Sequence, residues 1–241
     1  SDTISDVTGN MAWANDNQTL FYAKQDPVTL RSYQICRHIL GQDPSFDSLV
    51  YEEEDETFNV AVFKTKSKQY IMIASAQTVS SEYRYLDAHR PHGEFKVFLP
   101  RVRDHEYDVD HYRDSFYIRT NWDAKNFRLM KTPVTHTGQD HWKDVIAHRD
   151  DVLLESFELF RDYLVLEERK QGLMNIRILS WSGQGDHYLN FGEPTYLAEI
   201  GENPDFNTLM LRYVYTSMTT PNSVYDYNMD TREKVLMKQE E

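Results

Sequence analysis

The stretch His105-Glu106-Tyr107-Asp108-Val109-Asp110-His111 carries two imidazoles and three carboxylates in seven residues. These are the side chains that hold metals or move protons. On an extended strand His105, Tyr107, Val109 and His111 share one face, and Glu106, Asp108 and Asp110 share the other. At about 3.3 Å per residue the two histidines lie roughly 20 Å apart, too far to share one ion. The carboxylates are spaced by about 6.6 Å, and calcium would need further oxygens from elsewhere. The stretch therefore reads as the first strand of a small sheet with polar residues toward a wet channel, and neither a metal nor a cofactor is expected. Glu52-Glu53-Glu54-Asp55-Glu56 is a run of five acids. Self-repulsion predicts a solvated surface connection, with a docking patch for basic peptides as the alternative. Glu167-Glu168 beside Arg169-Lys170 reads as a hairpin end with local ion pairing.

Nucleophilic chemistry has no obvious home. There is no G-x-S-x-G turn; Ser180 and Ser182, near Gly183 and Gly185, lack the spacing that exposes a hydroxyl on a strand-to-helix elbow. No P-loop, G-x-G-x-x-G or H-E-x-x-H is present. No catalytic residue is assigned within the chain. Cys36 is the single cysteine, which excludes an intrachain disulfide and a Cys-rich zinc site. Nothing around it suggests a depressed pKa, and it is expected to pack between sheets. Trp13, Trp122, Trp142 and Trp181 are expected in cores or between sheets. Asn17-Gln18-Thr19 reads as a turn. With 39 acidic residues some pair will always match glycosidase spacing, so carboxylate pairs alone carry little weight.

The elements that would carry these residues repeat. Five short segments look alike: Phe21-Tyr22-Ala23, Ile71-Met72-Ile73, Phe116-Tyr117-Ile118, Leu164-Val165-Leu166 and Leu211-Arg212-Tyr213. Their starts at 21, 71, 116, 164 and 211 are 50, 45, 48 and 47 residues apart. One strand-like run precedes each, and two follow. Runs such as Phe95–Leu99 and Asn175–Leu179 alternate apolar and polar residues, the period of a half-buried strand. Turn chemistry separates them, as in Asn15-Asp16-Asn17, Pro91-His92-Gly93 and Lys170-Gln171-Gly172. Val152–Leu166 mimics a helix, but its Arg161-Asp162 break reads as a hairpin.

Four strands every roughly 40–50 residues is the mark of a β-propeller. The expected fold is all-β, with about five four-stranded blades near residues 10–53, 58–100, 106–147, 155–191 and 195–239. Stacked sandwiches or two barrels are the alternatives. Aromatics at 13% suit such sheets. The net charge, 26 − 39 = −13, argues against nucleic acid and anionic membrane surfaces as partners. No apolar run approaches the roughly 18 residues of a membrane helix. The start SDTISDVTGN lacks the basic and apolar segments of a signal peptide, so a cytoplasmic setting is the expectation.

Met11-Ala12-Trp13-Ala14-Asn15-Asp16, Asp26-Pro27-Val28-Thr29-Leu30, Tyr33-Gln34 and Arg37-His38 resemble the oligopeptidase B branch of the prolyl oligopeptidase family of serine peptidases. The likeness continues through Tyr51-Glu52-Glu53, Phe98-Leu99-Pro100-Arg101, Asp104–Tyr107, Asp110-His111-Tyr112, Lys125-Asn126-Phe127, Val165–Arg169 and Ser217–Pro221. The resemblance implies a seven-bladed propeller ahead of an α/β-hydrolase domain. It implies a catalytic triad in that hydrolase domain, and cleavage after Arg or Lys. The chain would then match central blades only, and the hydrolase domain would be its missing partner. The propeller would act as a cap and size filter for basic peptides. By rough register with relatives, Phe21 or Tyr22 and the Thr78–Glu82 loop would face the substrate. An open arc of blades is expected to be marginal alone, or to self-associate, unless the five close into a ring. A free-standing propeller that binds a protein or peptide, and a five-bladed glycosidase, are the alternative functions.

Overall fold

The computed structural model describes residues 3–241, which form twenty strands and no α-helix. The strands are β1 (Val7–Trp13), β2 (Thr19–Gln25), β3 (Ser32–Ile39), β4 (Ser48–Glu52), β5 (Asn59–Lys64), β6 (Tyr70–Gln77), β7 (Ser80–Asp87), β8 (Lys96–Leu99), β9 (Tyr107–Tyr112) and β10 (Ser115–Thr120). They continue as β11 (Arg128–Pro133), β12 (Lys143–Ile146), β13 (Leu153–Leu159), β14 (Tyr163–Lys170), β15 (Leu173–Ser180), β16 (His187–Tyr188), β17 (Tyr196–Ile200), β18 (Met210–Ser217), β19 (Ser223–Asn228) and β20 (Lys234–Gln239). Each group of four consecutive strands makes one antiparallel sheet, five sheets in all. This is the blade unit of a β-propeller. Among the described residues no helix is long and apolar enough to cross a membrane.

The five repeated segments fall on β2, β6, β10, β14 and β18, the second strand of every sheet. Side chains of successive residues point to opposite faces of a strand. Phe21, Tyr22 and Ala23 are nevertheless all buried, as are Ile71-Met72-Ile73 and Leu164-Val165-Leu166. A strand buried on both faces must be covered from both sides, which a single small sheet cannot do.

The chain divides into two compact units, residues up to 120 with 131–143, and residues 121–130 with 144–241. In the first unit Phe21, Ala23 and Ile35 of the first sheet pack against Val60, Val62, Ile71 and Ile73 of the second. The opposite face of the second sheet presents Tyr70, Tyr83 and Tyr85. These meet the aromatic side chains Tyr107, His111 and Phe116, with ring centroids 4.8–5.3 Å apart for Tyr70–His111, Tyr70–Phe116, Tyr83–Tyr107 and Tyr85–Phe116. In the second unit Val165, Ile176 and Ile178 pack against Ala198, Leu211, Tyr213 and Tyr215.

Val152–Leu166 is the hairpin that its Arg161-Asp162 break predicts, with Leu159 opposite Leu164. Other local details differ from the sequence pattern. The fourth strand of the fourth sheet shrinks to His187–Tyr188. It is preceded by a loop with Gly183 and Gly185 at positive φ and followed by Gly192, also at positive φ. The β14–β15 turn needs its glycine: Gln171 and Gly172 lie at φ 51° and 82°, the left-handed pair of a tight hairpin. Of the four tryptophans only Trp142 is buried. Trp13 and Trp122 lie exposed on the described surface, and Trp181 is half-buried with its Nε1 donating to the Phe160 carbonyl at 2.9 Å.

Phe21 is enclosed and meets Phe95 edge-on at 5.5 Å. Phe21→Ala is expected to cost about 3–5 kcal/mol through the cavity it leaves. The check is denaturant unfolding, which should show a lower midpoint at an unchanged slope.

Candidate functional site

One end of the first two sheets gathers charge. Glu53 follows β4 and is only 5% exposed. Its Oε2 accepts hydrogen bonds from Arg101 Nη2 at 2.5 Å, Ser75 Oγ at 2.5 Å and Tyr51 Oη at 2.7 Å. Oε1 accepts from the Asp55 N–H at 3.0 Å. Arg101 comes from the connection after β8, and its guanidinium sits 3.8 Å from the Phe58 ring centroid. Burial by itself raises the Glu53 pKa. The donors from Arg101, Ser75, Tyr51 and Asp55 outweigh that and bring it down to about 2. Four segments, β4, β6 and the two connections that follow β4 and β8, thus converge on one carboxylate.

Arg31, in the β2–β3 turn, fastens the acidic connection from the other side. It donates to the carbonyls of Phe58 at 2.7 Å, Glu53 at 2.8 Å and Asp55 at 2.7 Å. The run Glu52–Glu56 is therefore a clamped strap, which corrects the reading of a wholly solvated connection. Glu52, Glu54 and Glu56 are exposed while Glu53 points inward. Beside the strap lies a cavity of about 590 Å³ lined by Asp26, Arg31, Tyr33, Glu52, Glu54 and Glu56, among others. The Arg31 guanidinium keeps its charge while donating to carbonyls, but Asp26, Glu52, Glu54 and Glu56 outnumber it, so the concavity is net acidic.

Among the residues expected to face a substrate, Phe21 is fully enclosed between the first two sheets. Tyr22 is buried on the opposite face of β2 and donates from its hydroxyl to Asp47 Oδ2 at 2.8 Å. Burial first, then the Asp47 carboxylate, pushes the Tyr22 pKa far up. Thr78 is exposed at the tip of the β6–β7 turn. Glu82 is buried; its Oε1 accepts from Arg84 Nη2 at 2.7 Å and its Oε2 from the Arg101 N–H at 3.0 Å. Arg84 in turn lies 4.7 Å from the Tyr51 ring centroid. Glu82 thus joins the Glu53 network through both arginines, with Thr78 close by in sequence. Phe21 and Tyr22 lie elsewhere in the first sheet.

The two histidines of the ligand-like stretch are both buried. His105 Nε2 is 2.9 Å from Thr120 Oγ1, and His111 Nδ1 is 2.7 Å from Ser67 Oγ. Asp108 pairs with Arg119 at 2.9 Å. Among the described residues no group of three or more His, Cys, Asp or Glu is placed to hold a metal ion. Cys36 is buried, and burial raises its thiol pKa.

The second unit repeats the motif of a buried glutamate under arginine. Glu168 is 1% exposed and is held by Arg149 and by the Tyr188 hydroxyl at 2.6 Å. Glu167 accepts from Ser156 Oγ at 2.6 Å and the Ile200 N–H at 2.5 Å. The segment does end a hairpin, with Lys170 opposite Leu173, but the two glutamates do not pair with their basic neighbours. Arg169 bonds Glu155 and Lys170 bonds Asp151 instead.

Five four-stranded sheets with polar connections at the strand ends define a β-propeller domain. The family model for the prolyl oligopeptidase N-terminal β-propeller domain matches residues 1–240. The chain belongs to that family. It is 42% identical to dipeptidyl aminopeptidase BI of Pseudoxanthomonas mexicana over 240 residues, which cover 99% of this chain and 33% of that protein. It is 29% identical to Protease 2 of Moraxella lacunata, over 95% of this chain and 32% of that one. Among solved structures, oligopeptidase B of Trypanosoma brucei, in a closed form with covalently bound antipain, superposes with a TM-score of 0.92 at 26% identity. That match covers 100% of this chain and 35% of the other. The chain thus spans about a third of the length of the relatives it matches.

Sequence reasoning missed Arg31, Ser75 and Arg84, because each acts on partners from another turn or strand, with no local motif to mark it. Buried groups shape the acid response, His111 and Glu53 most strongly, with His105 lowered by burial beside them. Desolvation lowers the His111 pKa from 6.5 to about 4, so its neutral ring favours folding above pH 6.5 and that stability drains away as pH falls to 4. Glu53, depressed from 4.5 to about 2, contributes in full above pH 4.5 and loses its contribution as pH falls to 2. Unfolding free energy is therefore expected to fall continuously from pH 6.5 downward. Glu53→Gln should lower stability at pH 7 by about 3 kcal/mol, since it leaves Arg101 without its buried counter-charge. It should also flatten the slope below pH 4.5. Denaturant titrations of parent and variant across pH 3–7 read both effects.

Proposed function

We propose that these residues are the non-catalytic propeller portion of a serine endopeptidase that cuts peptides after Arg or Lys, with the propeller as cap and size filter. The observation that carries this reading is the acidic concavity of Asp26, Glu52, Glu54 and Glu56 on a strap that Arg31 and Arg101 hold in place. A fixed cluster of carboxylates raises the local concentration of cationic peptides and speeds their encounter, by 10-fold or more at low salt. The names of two relatives, Protease 2 and oligopeptidase B, accord with a peptidase. In this reading the cutting residues belong to a hydrolase domain elsewhere in a longer, cytoplasmic protein. In this reading the exposed Thr78 carries the substrate-facing role, the buried Glu82 holds the Arg101 backbone in place behind it, and Phe21 and Tyr22 support the first sheet from within.

A second reading follows from the 42% identical relative, whose name describes release of dipeptides from an N-terminus. One substrate pair separates the two. The full-length protein is given an N-acetylated peptide with an internal Arg, and the same peptide with a free N-terminus. Cleavage after Arg in both, abolished by a serine-directed inhibitor, is expected. Release of a dipeptide from the free form alone would replace the endopeptidase reading with the second. Neutralising Glu52, Glu54 and Glu56 to Gln is expected to raise KM several-fold at low salt with kcat unchanged, and the gap should close as ionic strength rises.

A further inference from the structure

The opposite end of the second sheet holds a second cavity. β6 runs from Tyr70 to Gln77, eight residues. At about 3.3 Å per residue its two ends are roughly 23 Å apart, so Tyr70 is far from Thr78 and the acidic strap. Here a cavity of about 490 Å³ is lined by Tyr70, Tyr85, Leu86, Glu94, Lys96 and Val134, with Asp87 and Arg90 beside them.

Its wall is aromatic and closely packed. Tyr70 and Tyr85 meet edge-on at 5.9 Å, and both rings rest on Phe116, at 5.0 and 5.3 Å. Tyr70 rests also on His111 at 4.8 Å. Burial raises both phenol pKa values, and for Tyr70 the Asp87 carboxylate adds to the effect, so both hydroxyls stay protonated as donors at neutral pH. The rim carries both signs. Arg90 is 85% exposed and reaches Asp87 only at 3.9 Å. Among the described residues neither Glu94 nor Lys96 has an ion-pair partner, and both are exposed. A concave aromatic pocket with a few convergent polar groups is the general form of a small-ligand site. Free charges of opposite sign on one rim complement a molecule that also bears both.

We propose that this cavity is a binding site for a short zwitterionic peptide carrying one aromatic side chain. The ring lies against Tyr70 and Tyr85, the ammonium faces Glu94 and Asp87, and the carboxylate faces Lys96 and Arg90. The proposal stands on the pocket and its rim, and is independent of which bond the longer protein cuts.

The test uses the full-length protein and glycyl-N-methyl-phenylalanine, a dipeptide whose methylated amide resists cleavage. Saturation-transfer NMR should show the strongest transfer to the phenyl protons, and titration should give a Kd on the order of 1 mM or tighter. Tyr85→Leu is expected to weaken binding at least about 5-fold. Because Tyr85 also packs on Phe98 and Phe116, the exposed variants Glu94→Lys and Lys96→Glu provide the control that keeps the fold. Each should weaken the zwitterion about 5-fold while leaving N-acetyl-phenylalaninamide, which has no charged ends, unchanged. Absence of saturation transfer, or rim variants that bind the dipeptide as the parent does, would overturn the proposal.

Discussion

Everything in this chain depends on burying both faces of its second strands. β2, β6 and β14 present three consecutive buried residues each, so every such strand needs cover on two sides. A four-stranded sheet is too small to fold over itself. The cover comes from the next sheet, as Phe21, Ala23 and Ile35 find it in Ile71 and Ile73, and Val165 and Ile178 find it in Leu211 and Tyr213. The hydrophobic driving force, about 25 cal/mol per Å² of apolar surface removed from water, thus acts between sheets as much as within them. Repetition follows from that need.

Given stacked sheets, the strand ends are where polar backbone must be satisfied and where charge can be concentrated. Glu53 shows how the two requirements meet. Its carboxylate absorbs donors from Tyr51, Ser75, Arg101 and the Asp55 N–H, and the strap that carries it is pinned by Arg31 through three carbonyls. Glu53 neutralises Arg101, and Arg31 keeps its charge, so Asp26, Glu52, Glu54 and Glu56 face a single remaining cation. The acidity of the concavity results from that excess of carboxylates.

The sheets were readable in the amino-acid pattern because their cause is local and periodic. An apolar triplet, interrupted only by Arg212 in the fifth copy, recurs at intervals near 48 and marks each second strand, and Gln171-Gly172 or Asn15-Asp16-Asn17 mark turns by their own conformational preferences. The site was far less readable. Nothing in Glu52–Glu56 says that the second glutamate alone turns inward, since its counter-charge, Arg101, lies 48 residues away. Glu168 misled for the same reason: two basic neighbours in sequence suggested local pairs, whereas Arg149 reaches it from 19 residues upstream. The tryptophans erred the other way. They are expected in cores or between sheets, yet only Trp142 is buried, against Phe98, His105 and Tyr107, and Trp181 is half-buried.

The long reach of the Glu53–Arg101 bond also has a kinetic meaning. Almost all strand pairing joins neighbours along the chain, so hairpins can form early at small entropic cost. The ion pair can close only after the connections behind two whole sheets are in place. An interaction that forms after the rate-limiting step leaves the rate of folding almost untouched and acts on the rate of opening. If the pair closes after that step, the buried carboxylate is a latch, setting how long the folded sheets stay together once they have met.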